Sequence, residues 1–336
     1  MQLTNKPSSR RAALGFGMQL SALVLGCASL RHAFAQSAAW PSKPIRLIVP
    51  VGPGGGVDLV GRLIAEQLSK LLGQSIFVEN MGGGGGSIGS MATVRAAPDG
   101  HTLMVGYVGT HGTNPALRKL PYDALADFSP IAMVGGTPNV LVVQADFPAK
   151  DFKQFVTLAK ADTNKLSYAS SGPGTLTHLI MEQLKGAIGS NAVHLPYKGI
   201  GPALIDVLGG QVPMACPGLA AALPHIKAGK LRALAITGAQ RHRLVPQVPT
   251  FEEQGLRGFD GVQWYGIVGP AKMPPAIIKR LNDEINKIIT LKEIRERLTS
   301  EALEPMPMTP PQFASFMAQD ISRWAKVAVA RGIQLE

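Results

Sequence analysis

Cysteine is nearly absent. Only Cys27 and Cys216 occur in 336 residues, and Cys27 falls inside an N-terminal stretch that reads as removable. The remaining thiol cannot form an internal disulfide. A chain of this size must then rely on its core, which it is long enough to build. Charge is scarce too. Asp, Glu, Lys and Arg make up 16% of the chain while hydrophobic residues reach 46%, which excludes a disordered polypeptide. The balance is basic, at +11, but no block of like charge stands out. Nucleic acid is therefore not an expected partner, whereas a basic surface remains suited to acidic small molecules. The run GGGGGSIGS lacks the lysine of a phosphate loop, and the seven histidines show no metal-ligand spacing. No cofactor and no metal are expected. Beyond the N-terminus no stretch is long and apolar enough to span a bilayer. There is no internal repeat and no low-complexity linker.

The first 35 residues carry Lys6, Arg10, Arg11 and Arg31 and no acid. SSRRAALGF supplies positive charge, GMQLSALVLGCASL an apolar run, and Ala33-Phe34-Ala35 a small-x-small cleavage site. The reading is a signal peptide over 1–35 with the mature chain starting near Gln36, hence a periplasmic protein. Ser9-Arg10-Arg11 fits a twin-arginine signal. A membrane anchor is the alternative, but Gln19 and Ser21 interrupt the apolar run. Lipidation at Cys27 is another, set against the bulk of Leu25.

From Ile45 onward, strand and helix patterns alternate. A buried-strand run at 45–49 ends in a glycine turn. Leu59, Leu63, Ile64, Leu68, Leu71 and Leu72 then recur at helical spacing until Gly73. A strand at 75–78, a second glycine turn, a helix from about 88 and a strand at 103–105 complete a first α/β series. A strand at 139–143 leaves this unit. The second series predicts helix 151–160, strand 166–169, helix 175–185, strand 192–194, a short helix, strands near 211–215 and 231–236, and a helix near 219–228. A strand at 263–268 returns to the first unit, and two helices, 274–290 and 309–330, close the chain. The expected architecture is α/β in two lobes, each an open mixed sheet flanked by helices. Lobe 1 comprises 36–140 plus 261–336, and lobe 2 comprises 141–260.

Three glycine-rich turns, GPGGGVD, GGGGGSIG and SSGPGTLTH, each follow a strand and precede a helix. Helix starts carry unpaired N–H groups and a partial positive charge, and glycine admits a ligand close to the backbone. Asp58 reads as the cap of the first such helix. Ligands in open α/β sheets sit at the carboxyl ends of strands, so these turns suit a carboxylate or a phosphate. Gly84-x-Gly86-x-x-Gly89 matches a dinucleotide fingerprint, but in the second strand–helix unit and with no acid about twenty residues on. Gly85-x-Ser87-x-Gly89 matches a hydrolase elbow, yet His178, His194, His225 and His242 show no partner arrangement. Tyr107, Thr110, His111 and Asn114 cluster after the third strand, Tyr197 and Lys198 after another, and Trp264 and Tyr265 near the second crossing. Such groups line small polar pockets, and core packing is the alternative for the last two.

The chain from Trp40 onward resembles the Bug family, the extracytoplasmic solute receptors of tripartite tricarboxylate transporters. The stretches that carry the resemblance include WPSKPIRLIVP, PGGGVD, AAPDGHTL, GTHGTNPAL, LPYDALADFSPIA, KLSYASSGPGT, HLPYKGIGPAL, VPTFEEQG and WAKVAVARGIQL. The resemblance implies a periplasmic-binding-protein-like fold, a Venus flytrap of type II kind. It implies a small carboxylate or amino acid held largely by backbone groups and ordered water, membrane permease subunits as partners, and no catalysis. Carried onto matching positions, first-lobe contacts come from Gly54, Gly55, Asp58, Gly86, Ser87, Thr110 and His111. Second-lobe contacts come from Ser170, Ser171, Gly174, Thr175 and Tyr197. Trp264 joins them as the aromatic at the crossing, and the receptor is expected to be a monomer. Pro217-Gly218 stands where many relatives have an Asp-Asn pair. The loss of that carboxylate predicts an acidic or uncharged ligand and not an amino acid. The competing readings are a sensor feeding a membrane kinase, and a hydrolase using Ser87 or Ser171.

Overall fold

The computed structural model describes residues 1–2, 40–161 and 166–334. The export signal, with Cys27 and the Ala35 cleavage site, lies outside the described residues. The chain divides into a short N-terminal unit, Met1–Ser42, and a large one, Lys43–Glu336, which holds every element below.

The first sheet begins with β1 (Ile45–Val49), a run buried along almost its whole length. It pairs in parallel with β2 (Ile76–Asn80) on one side and β3 (Thr102–Tyr107) on the other. Burial on both faces suits a continuous apolar strand. Between β1 and β2, α1 (Gly56–Leu72) buries Val57, Val60, Leu63, Ile64, Leu68 and Leu72, most of the face its spacing predicts, while Leu59 is half-buried and Leu71 exposed. It ends where Gly73 enters the left-handed region at φ 67° and its N–H reaches Ser69 O, a conformation glycine adopts without penalty. Next come α2 (Ser87–Val94), the π-turn Gly109–Thr113 and the four-residue α3 (Asn114–Leu117).

Two antiparallel strands extend this sheet: β4 (Phe128–Pro138) and, after the second lobe, β10 (Val262–Pro270). β10 lies between β3 and β4, with Tyr265 opposite both Tyr107 and Gly135. The sheet order is β11-β4-β10-β3-β1-β2, where β11 is the two-residue Glu304–Pro305. β4 escapes the sequence reading because Pro130, Gly135 and Gly136 interrupt its pattern. Gly135 is required by packing: a Cβ there would stand 2.6 Å from the Glu304 carbonyl oxygen.

The second sheet runs β7-β6-β8-β5-β9, from β5 (Val140–Gln144), β6 (Ser167–Ser170), β7 (Val193–Pro196), β8 (Met214–Ala215) and β9 (Leu231–Ile236). It too mixes parallel and antiparallel pairs. Its helices are α4 (Phe152–Ala161), α5 (Leu176–Ile188), α6 (Ile200–Leu208) and α7 (Leu219–Lys227). The chain therefore forms two open mixed sheets flanked by helices. It passes from one sheet to the other at Asn139 and between β9 and β10. The buried Asn139 ties the first passage down: its N–H donates to Thr237 Oγ1 and its amide nitrogen to the Cys216 carbonyl, both at 2.8 Å.

Three helices close the chain, not the two that periodicity predicts: α8 (Pro275–Thr290), α9 (Lys292–Ser300) and α10 (Pro310–Arg331). In the charged stretch KEIRERLTS only Ile294 and Leu298 offer apolar burial, too short a stripe to stand out. α10 packs against the Gly109–Thr113 turn, α3 and β4 of the first sheet and against α5 of the second.

Candidate functional site

A cavity of about 290 Å³ opens between the two sheets, at the small end of the range typical of ligand sites. One wall comes from the glycine turn after β2, through Gly85, and from the carboxyl end of β3 and the turns beyond it: Tyr107, Gly109, Thr113, Asn114 and Arg118. The other is the segment Ser171 to Thr177 at the start of α5, and Gln263 of β10 joins them. Two of the three glycine-rich turns therefore face one hollow.

The α5 wall is an open helix start. Thr175 is the N-cap residue, with ψ 159°, but its side chain makes no capping bond. Its hydroxyl donates to the Gly172 carbonyl at 2.7 Å instead. The first N–H groups of a helix lack partners within it, so those of Leu176 and Thr177 stand at the cavity wall and favour an anion. The Ser171 and Thr177 hydroxyls bond each other at 2.8 Å. The Gly174 N–H donates to His178 Nδ1 at 3.1 Å, which requires that nitrogen to be unprotonated. Burial drives the His178 pKa down and so keeps it neutral. Its ring stacks on His194 with centroids 4.0 Å apart. Burial, then the neighbouring His178, push His194 down to about 4.

Of the residues expected in the site, Ser171, Gly174 and Thr175 line the cavity. Gly86 and Ser87 sit just beyond Gly85 in the chain. Gly86 is buried, with φ 94°, and a Cβ there would stand 2.5 Å from Thr110 Cγ2. Ser87 opens α2, half-buried and outside the wall. Thr110 and His111 are fully buried behind it. Thr110 Oγ1 lies 2.8 Å from His111 Nδ1, the His111 ring meets Phe128 edge-on at 4.6 Å, and burial pushes its pKa down to about 3. Ser170 is buried with its Oγ 2.6 Å from His194 Nε2. Tyr197 donates to Asp206 at 2.5 Å and does not line the cavity.

The first turn is arranged differently from the sequence expectation. Gly54 and Gly55 do not line the cavity. Asp58 is not the cap of α1: Gly55 holds that position and Asp58 lies within the first turn. Its buried carboxylate accepts from the Gly54 N–H, from Arg62 and from Asn80 at 2.9–3.0 Å. Burial alone would raise its pKa, but those bonds outweigh it and bring it to about 2. The turn's amide is thus occupied by the protein's own side chain. Trp264 is fully buried and donates its indole N–H to Asp320 Oδ2 at 2.8 Å. It faces the core, which is the packing alternative raised for it.

Several cavity residues lie outside the expected set. Tyr107 and Asn114 belong to the polar cluster after the third strand. Burial, then the nearby Tyr122, push the Tyr107 hydroxyl up to about 12, and the buried Asn114 donates to the Gly85 carbonyl at 2.8 Å. Gln263 carries no motif and depends on β10 for its position. Among the described residues Arg118 is the single charged one in the wall, and none is acidic. Pro217-Gly218 lies beside the first passage between the sheets, where the Pro217 carbonyl accepts from Val140 N–H. A Cβ at Gly218 would stand 3.4 Å from Gln263 Oε1, so the Gln263 amide adjoins the place of the missing pair.

Comparison with known proteins agrees with this architecture. The chain is 35% identical over 303 residues to protein BugT of Bordetella pertussis, covering 88% of this chain and 92% of that one. MatC of Rhodopseudomonas palustris, solved with bound malate, superposes with a TM-score of 0.75 at 36% identity, over 86% of this chain and 99% of that one. A second R. palustris protein, solved with adipate, has a TM-score of 0.79 at 31% identity, over 88% and 99%. The model of the tripartite tricarboxylate transporter family receptor matches residues 60–333. The chain thus belongs to the tripartite tricarboxylate transporter family of receptors and is a Bug-type solute receptor.

Proposed function

We propose that this receptor captures a small carboxylate between its lobes in the periplasm and presents it, as a monomer, to the membrane permease of a tripartite transporter. The carrying observation is a cavity between two sheets that holds an uncapped helix start and an arginine but no acid. Such a wall favours an anion and disfavours the ammonium group of an amino acid. The relatives solved with malate and with adipate support the same ligand class. Lobe 1 is read as 36–140 plus 261–336 and lobe 2 as 141–260, with 1–35 as the export signal. The ligand first meets the α5 N–H groups and the Ser171 and Thr175 hydroxyls. Gly85, Asn114 and Arg118 then close on its far side. Closure is favoured only by the ligand's better contacts in the closed state. No catalytic step is assigned. Ser171 is bonded to Thr177, and the Ser170–His194 pair lies outside the cavity wall.

The test is a thermal-shift screen of mono-, di- and tricarboxylates, amino acids and aromatic acids, followed by calorimetric titration. A ligand present at a hundred times its Kd adds about 2.7 kcal/mol to stability, a clear rise in Tm. Tight binding of aspartate or glutamate with no response to simple carboxylates would refute the reading.

A further inference from the structure

Among the described residues no carboxylate lies within salt-bridge distance of Arg118, and its Nε is buried with no hydrogen-bond partner. It follows α3 directly, and its backbone N–H is held by the Asn114 carbonyl at 3.1 Å. The guanidinium borders the cavity beside Gly85, and Tyr107 and Tyr122 share the hollows that it lines. Burial raises the pKa of both phenols, so they stay neutral and cannot neutralise it. A half-buried cation without a counter-ion is unfavourable unless something supplies the charge. Arginine's planar fork matches a carboxylate in two parallel bonds.

The Arg118 wall and the α5 wall belong to different sheets, and each offers donors to an anion. We propose that Arg118 is the specificity-determining residue of this receptor. It receives a second carboxylate while the α5 start holds the first, so the receptor selects dicarboxylates over monocarboxylates of equal chain length. This rests on the carboxylate-receptor reading above.

Calorimetric titration of the wild type and of Arg118→Gln with succinate, malate and adipate, and with butanoate and hexanoate, tests it. In the wild type the dicarboxylate of matching length should bind at least about tenfold more tightly than the monocarboxylate. Loss of a charge-assisted pair predicts that Arg118→Gln weakens the dicarboxylate about 10- to 100-fold and weakens the monocarboxylate by a clearly smaller factor, so that the preference between them falls by about tenfold or more. Arg118→Lys keeps the charge but not the fork and should fall between the two. It also serves as the test variant if Arg118→Gln does not fold. Raising salt should weaken the dicarboxylate more in the wild type than in Arg118→Gln. Equal losses for both ligand kinds, or no loss, overturn the assignment and leave the carboxylate reading standing. A wild type that binds none of the five overturns both.

Discussion

Replacing Asp320 by alanine should destabilise the protein while leaving ligand affinity nearly unchanged. Asp320 lies on α10, only 2% exposed. Its two oxygens accept separate indole N–H groups, from Trp264 at 2.8 Å and from Trp324 at 2.9 Å. Both tryptophans are fully buried. Trp324 packs where Gly261 has no side chain, since a Cβ there would stand 2.7 Å from the ring. Alanine strands both donors. An unmet buried donor costs about 1–3 kcal/mol, so two cost about 2–6. Part is returned, because burial holds the Asp320 carboxyl above its usual range and the variant no longer confines that charge. The net loss is about 2–4 kcal/mol, or roughly 3–6 °C in Tm for a chain of this size. Asp320→Asn keeps one acceptor and should lose about half as much. Thermal unfolding followed by circular dichroism reads the shift. Titration at 20 °C should give a Kd within about threefold of wild type, because neither tryptophan lines the cavity. An alanine variant as stable as wild type, or an asparagine variant worse than alanine, would refute the reasoning.

Three further outcomes are expected. Gly86→Ala places a methyl 2.5 Å from Thr110 Cγ2 at a φ of 94°. It should cost about 1–3 kcal/mol, read as a lower urea midpoint, whereas Gly55→Ala, with open space around it, should cost less than about 1 kcal/mol. Asp58→Ala removes three bonds to a carboxylate whose pKa is depressed to about 2. Its stability contribution is complete above the unfolded value of 3.8 and vanishes as pH falls through 2, so wild type and variant should differ by about 1–3 kcal/mol at pH 7 and converge near pH 2. His111 is buried and His194 half-buried, both neutral, with values of about 3 and about 4 against an ordinary 6.5. Below pH 6.5 the unfolded chain binds protons that the folded one refuses. Stability should fall by about 1.36 kcal/mol per pH unit for the fully buried His111, and by less for the half-buried His194, as pH drops from 6.5 toward 4. A urea midpoint flat over that range would contradict their placement.

The sequence alone carried the alternating strand–helix order, the two open mixed sheets and two of the three glycine turns that meet at the cavity. Those features rest on local rules: a period of two or 3.6, glycine's freedom after a strand, and a helix start's unpaired amides. Ser171, Gly174 and Thr175 were legible because one short segment contains both the turn and the helix start. β4 was hidden by its glycines and Pro130, which read as breakers until Glu304 is seen lying against Gly135. The roles of Asp58 and Trp264 were decided by distant partners, Asn80 in one case and Asp320 in the other. Arg118 illustrates the limit most plainly. In the string it is one of 33 basic residues. It becomes the lone charge of a cavity only when folding brings the end of α3 opposite α5, because the absence of a partner is a property of space and not of sequence.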